Sequence, residues 1–297
     1  PKATLDFIKT DINNSEKYST DSNRVNNFDR IHWSYYATLM LKAEIYLWSA
    51  KVTTGDQVPS ASDLDTTKEA FMYYPPNFIN KYDETGKAFP NNDPLKIQSG
   101  FLFNEYKFEL FQAFDATDTR RATTFLSFYS NAAKTQGRGI ALIKYIGFIN
   151  SANTRVFSDD IPVYRYADVL LMYAEIANKQ GSDPSTYINQ IRQRAYGSNY
   201  TSANAYTHTN FADGELAILK ERDKEFVAES KRWFDVRRLQ DASGKPLVFS
   251  KEASYGTVAG NVEPILNQNT EAHKLLWPIN SDIISRDTLV TQTPGYK

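Results

Sequence analysis

The strongest constraint on how this chain can fold lies in residues 220–240, KERDKEFVAESKRWFDVRRLQ, where acids and bases crowd around a few large apolar side chains. Leu219, Phe226 and Trp233 fall seven residues apart, with Val227 and Phe234 alongside, so on a helix the aromatics face inward on successive double turns. The remaining surface is ionic: Glu221, Asp223, Glu225, Glu229 and Asp235 are interleaved with Arg222, Lys224, Lys231, Arg232, Arg237 and Arg238. Residues three and four apart on a helix are neighbours, which puts Glu225 with Glu229, and Glu229 with Arg232, on one face. Charge this dense beside aromatic anchors implies ion pairs that clamp the helix onto neighbouring elements. A single charged helix is expected over residues 211–239, with Asp213 as its cap.

The element it must meet is DIPVYRYADVLLMYAEIANKQG, residues 160–181. Pro162 and the alternation of Val163 and Arg165 read as an extended lead-in. From Tyr166, the apolar residues Ala167, Leu170, Leu171, Ala174 and Ile176 recur at helical spacing, and Gly181 stands where a C-terminal cap ends the helix. Arg165, Asp168 and Glu175 of this helix, with Arg192 and Arg194 of the next, could form a ligand clamp or could set helix register. Paired charges at helix interfaces more often do the second. The set Arg165, Asp168, Glu175, Arg192, Arg194, Glu221, Arg222, Glu225, Glu229, Arg232, Asp235, Arg237 and Arg238 is therefore read as one structural ion-pair network.

Four phrases of this half, PVYRYADVLLMYAE, INQIRQRAY, ERDKEFVAESKRWFDVRR and the closing LLWPINSDIISRDTLVTQTPGY, resemble in order and rough spacing the signature blocks of the SusD/RagB family. The resemblance covers the chain from about residue 160 to its end, and the earlier portion more loosely, through helices of the tetratricopeptide type. It implies a surface-exposed outer-membrane lipoprotein that binds nutrients, mostly glycans, without chemistry and hands them to a SusC-like TonB-dependent transporter. It also implies a signal peptide and a lipid-modified cysteine ahead of a long N-terminal helical portion. The chain shows neither, so it is expected to be the C-terminal part, or a processed form, of such a protein, whose only membrane attachment would be a lipid anchor absent from this chain. The family's ligand site is built from loops of both halves, which places part of it outside these residues.

Composition points the same way. At 297 residues the chain can bury about three quarters of its unfolded surface, and 41% hydrophobic with 14% aromatic residues excludes disorder. Tyr (19) and Phe (18) exceed what a core tends to use, and the surplus implies a binding surface. With 34 basic against 35 acidic residues, no global field draws the protein to nucleic acid or anionic lipid, and a neutral oligo- or polysaccharide is the better partner. There is no cysteine, hence no thiolate nucleophile or finger-type zinc site, and His32, His208 and His273 are scattered without ligand spacing. No phosphate loop or serine elbow appears, no cofactor is expected, and no apolar run approaches the roughly 18 residues needed to span a bilayer.

The fold class expected is mostly α: tetratricopeptide-like helical hairpins packed with a SusD-type C-terminal helical region, long irregular loops and a small β ribbon. The chain is read as one unit with helical-repeat-like helices in residues 1–72, an irregular aromatic-rich region in 73–159 and the signature region in 160–297. Residues 1–18 and 31–52 read as amphipathic helices, and a short third helix ends near residue 72. Four prolines between residues 72 and 100 then break regular structure. Residues 123–128 and 140–149 read as short strands with a turn at 136–139, DATDTRR (115–121) resembles a family turn with Thr119 in place of its proline, and residues 246–249 form a possible strand. Asp183, Pro184 and Gly197 bracket a helix between them.

Two chemistries deserve weighing. Glu221, Glu225 and Glu229 share a helical stripe, and paired carboxylates are what glycoside hydrolysis requires. Catalytic carboxylates, however, flank a cleft rather than one helix, so the structural reading is preferred. Sugar recognition needs flat apolar faces for the C–H side of a pyranose and amides for its hydroxyls. Residues 73–106 supply Tyr73, Tyr74, Phe78, Tyr82, Phe101, Phe103 and Tyr106 beside Asn77, Asn80, Asn91, Asn92 and Gln98. Of these, Tyr73, Tyr74, Phe78, Tyr82, Phe101, Phe103, Asn91 and Asn92 are the candidate ligand contacts. Trp33, Trp48, Trp233 and Trp277 are expected in the core. The alternative functions are a helical-repeat scaffold for a protein partner and, less favoured by the residues, a glycoside hydrolase.

Overall fold

A computed structural model describes residues 7–8, 10–11, 80–89, 95–96, 106–137, 139–160, 162–256, 262–287 and 289–296. The helices expected within residues 1–72 lie outside the described residues, apart from helical backbone at 7–8 and 10–11.

The architecture is mostly helical. Helices α1 (Phe108–Gln112) and α2 (Thr119–Thr124) lead into an antiparallel ribbon of β1 (Phe125–Phe128) and β2 (Gly139–Leu142), with Phe125 opposite Leu142 and Phe128 opposite Gly139. A second ribbon pairs β3 (Phe148–Ile149) with β4 (Arg155–Val156). The body consists of α3 (Tyr166–Lys179), α4 (Ser185–Tyr196), α5 (Phe211–Glu225) and α6 (Arg232–Arg238). Short helices α7 (Gln268–Glu271) and α8 (Ser281–Arg286) carry the chain toward its end. The strand expected at 123–128 thus yields its first two residues to α2, and that at 140–149 divides between two ribbons.

Local chemistry sets the ends of the body helices. At the start of α3 the Asp168 carboxylate accepts the Arg165 N–H at 3.1 Å, placing an anion at the positive end of the helix. Gly181, with φ +75°, ends the segment in the left-handed region that a side chain would resist. The Ser185 N–H that opens α4 donates to Asp183 Oδ1 at 2.8 Å. The cap of α5 is Asn210, not Asp213: Asn210 Oδ1 accepts the Asp213 N–H at 3.0 Å, the geometry that favours Asn at this position.

Among the described residues, the two larger of three hydrophobic clusters organise the packing. In the larger, Leu171, Ile188, Ile218, Leu239 and Val248 are fully buried between α3, α4, α5, α6 and a 3-10 turn at Leu247–Phe249. Each such aliphatic side chain contributes about 1.5–3 kcal/mol on burial. That turn occupies the place of the strand expected at 246–249. The smaller cluster gathers Phe111, Phe114, Phe125, Ile140 and Leu142 around the first ribbon.

The continuous helix expected over residues 211–239 is broken. Residues 226–231 separate α5 from α6, with Ala228 and Ser230 at φ +63° and +56°. Phe226 packs into the larger cluster, whereas Val227 and Ala228 pack into the smaller. The turn carries Phe226 into one core and Val227 with Ala228 into the other, so tertiary packing overrides helix propensity. Trp277 is also placed differently from expectation: it is 38% exposed and meets Trp233 edge-on at 6.1 Å.

Candidate functional site

The ionic residues of α5, α6 and the turn between them divide into two main groups. Toward the first ribbon, Glu221, Glu225 and Glu229 receive cations from four separate parts of the chain. Arg120 of α2 reaches Glu221 Oε1 at 2.8 Å and Glu225 Oε2 at 2.9 Å while bonding Asp118 through two nitrogens. Arg192 and Arg194 of α4 bond Glu221 Oε2 at 2.9 Å and Glu225 Oε2 at 2.6 Å. Arg165, leading into α3, pairs with Glu225 and places Nε 2.9 Å from Glu229 Oε2. Lys144, just after β2, lies 2.6 Å from Glu229 Oε1.

The second group is sealed between α3, α5 and α6. Arg238 Nε bonds Glu175 Oε1 at 2.9 Å, and its Nη2 bonds Asp235 Oδ1 at 3.0 Å. Arg222 Nε is 2.7 Å from the same Asp235 oxygen, and its guanidinium also faces Asp168 at 3.7 Å. Arg222 and Arg165 lie over the Phe226 ring at 4.8 and 4.6 Å from its centroid, so the aromatic anchor joins the two groups. Elsewhere Arg232 pairs with Asp223 and donates to the Ala253 carbonyl at 2.6 Å, and Arg237 lies over the Trp233 ring at 5.5 Å.

These placements set the electrostatics. Burial pushes the Glu225 carboxyl upward, but Arg165, Arg120 and Arg194 outweigh it and hold it below the usual carboxylate range. For Asp223 burial prevails over Arg232, and the carboxyl is raised. Burial also lowers the Lys144 ammonium against the pull of Glu229. Among the described residues no group of three or more potential ligands could hold a metal ion, and no helix is long and apolar enough to cross a membrane.

Arg120, Asp118 and Lys144 are members of this network that the charged stretches alone did not nominate. For Asp118 and Arg120 the signal was the DATDTRR turn at 115–121: Asp118 accepts the Arg120 N–H at 3.0 Å and caps α2, so the turn aims Arg120 at α5.

Of the candidate ligand contacts, Tyr73, Tyr74, Phe78, Phe101, Phe103, Asn91 and Asn92 lie outside the described residues. Tyr82 is half-buried, and its backbone exchanges two 2.9 Å hydrogen bonds with Tyr129. Tyr106 is an inward group rather than a ligand face: its ring meets Phe125 edge-on at 5.6 Å, its phenol is bonded to the Ala228 backbone, and burial raises its pKa to about 12.

Comparison with known proteins fits this architecture. A SusD superfamily protein from Bacteroides fragilis NCTC 9343 superimposes with a TM-score of 0.83 and 35% identity, matching 100% of this chain and 72% of that one. Surface glycan-binding protein A from Bacteroides uniformis shares the fold at a TM-score of 0.61 and 17% identity, over 98% of this chain and 68% of its own. SusD-like protein P2 of Formosa agariphila is 26% identical in a 213-residue alignment that covers 63% of this chain and 39% of that relative's length. The model of the SusD family matches residues 12–296, nearly the whole sequence, and the chain belongs to that family.

Proposed function

We propose that the protein binds a glycan or related nutrient at the outer cell surface without chemistry and delivers it to a SusC-like TonB-dependent outer-membrane transporter. Attachment to the outer membrane would be through a lipid anchor of the full-length protein. Membership of the SusD family carries this reading. The state of the acids supports the non-enzymatic part: Glu225 accepts three guanidinium groups and is held ionised, whereas a glycosidase acid needs a raised pKa and a free proton to donate. Recognition is assigned to Tyr73, Tyr74, Phe78, Tyr82, Phe101, Phe103, Asn91 and Asn92, whose flat faces and amides suit a pyranose.

Isothermal titration against a panel of neutral oligosaccharides tests this directly. Binding is expected for at least one sugar, weakened about tenfold by Tyr73→Ala with Tyr74→Ala, the size of a lost aromatic contact. Unchanged affinity in that variant removes the site assignment. Release of reducing ends, abolished by Glu225→Gln, would replace the binding reading with hydrolysis.

A further inference from the structure

Three non-glycine residues with left-handed backbone converge on one carboxylate. Ala228 (φ +63°) and Ser230 (φ +56°) flank Glu229, and Tyr145 (φ +62°), from the loop after β2, hydrogen-bonds to Glu229 through its phenol. An L residue in this region sets its Cβ against the backbone carbonyl, so the conformation persists only where the surroundings impose it.

Here the surroundings are several. Arg165 Nη2 donates to Glu229 Oε1 at 2.9 Å and to the Glu225 carbonyl at 2.6 Å. Lys144 Nζ reaches the same carbonyl at 3.0 Å. This is the last carbonyl of α5, where two cations complement the negative end of the helix dipole. Tyr106 bonds the Ala228 backbone, and Lys231 donates to the Val163 carbonyl at 2.6 Å. The same turn divides the two cores, Phe226 entering one and Val227 with Ala228 the other.

We propose that residues 226–230 form a strained joint which Glu229 keeps closed, holding the ribbon core against the helical core. Opening would free the first ribbon while α3 and α4 stay folded. Relief of backbone strain favours opening, and the contacts of Lys144, Arg165 and Tyr145 with Glu229 oppose it. Substitution separates these two effects because they have opposite sign.

Hydrogen exchange of the full chain, followed by mass spectrometry without any sugar, provides the test. Glu229→Gln keeps the shape but removes the charge, and is expected to speed exchange in β1, β2 and residues 143–147 about tenfold, with α3 and α4 unchanged. Ala228→Gly combined with Ser230→Gly removes the Cβ conflict and leaves Glu229 in place, so the same amides should exchange severalfold more slowly. Two results overturn the proposal: Glu229→Gln speeding every helix alike or leaving the ribbon unchanged, and the glycine pair speeding ribbon exchange. Should Glu229→Gln fail to fold, the glycine pair still decides.

Discussion

The two ionic groups on either side of Phe226 use the same residue types in different surroundings. Arg238 is 0% exposed and is shared by Glu175 and Asp235, so its group has no route to water. In the other group the carboxylates of Glu225 and Glu229 are buried, but one of their cations, Arg194, is 61% exposed. The sealed group joins three helices, whereas the rimmed group ties α5 to α2, α4, the α3 lead-in and the loop after β2. A sealed charge must keep all its partners, because water cannot replace one. A rimmed charge can exchange a partner for solvent at small cost.

Arg238→Met should therefore be the most damaging single change. Removing this guanidinium takes from Glu175 and Asp235 a cation at 2.9 and 3.0 Å, a loss of about 3–5 kcal/mol in urea unfolding at neutral pH. Adding Glu175→Leu should recover part of it by removing one stranded anion, while Arg222 still holds Asp235 at 2.7 Å. A double variant less stable than Arg238→Met would show that Glu175 is not a stranded anion and refute the desolvation account.

Glu225→Gln comes next, at about 2–3 kcal/mol, since Gln keeps an acceptor for some of the three guanidiniums but loses their charge-assisted bonds. Because the folded-state pKa of Glu225 is lowered, its ionic contribution is present above the unfolded value near 4.5 and is lost as pH falls through the folded value. The deficit of the variant should narrow on acidification below about 4.5. Asp223 has a raised pKa, so its contribution is present below 3.8 and lost as pH rises, and the deficit of Asp223→Asn should widen on acidification. Unfolding curves for both variants between pH 7 and 3 separate the cases, and parallel pH profiles would contradict the assigned shifts.

What the sequence announced and what it concealed follow the same local and non-local division. The bounds of α3 and α4 were legible because their caps are short-range: Gly181 and Gly197 sit just past the ends, and Asp183 bonds two residues on. The break at residues 226–230 was not legible, because VAES contains neither glycine nor proline, and two separate cores impose the turn. The charges of residues 220–240 announced their pairing with Arg165, Asp168, Glu175, Arg192 and Arg194, but not with Arg120, which lies 105 positions from Glu225. A local signal did exist for two turns: DETGK (83–87) and DASGK (241–245) fold alike, with Asp83 and Asp241 Oδ1 each accepting the N–H groups two and four residues on.

Arg194→Ala should have the smallest effect, below about 1 kcal/mol, although its bonds to Glu225 are short, at 2.6 and 2.7 Å. Its side chain already faces water, and Glu225 keeps Arg120 and Arg165 when it is gone. The residual contribution is a solvent-screened one and should shrink between 0.1 and 1 M salt, as the Debye length falls from about 10 to 3 Å. The deficit of Arg238→Met should not move over that range, because no ions reach a fully buried guanidinium. Unfolding of both variants at the two salt concentrations compares the groups under one condition. Equal salt sensitivity would mean that exposure, not bond length, is the wrong quantity for ranking these pairs.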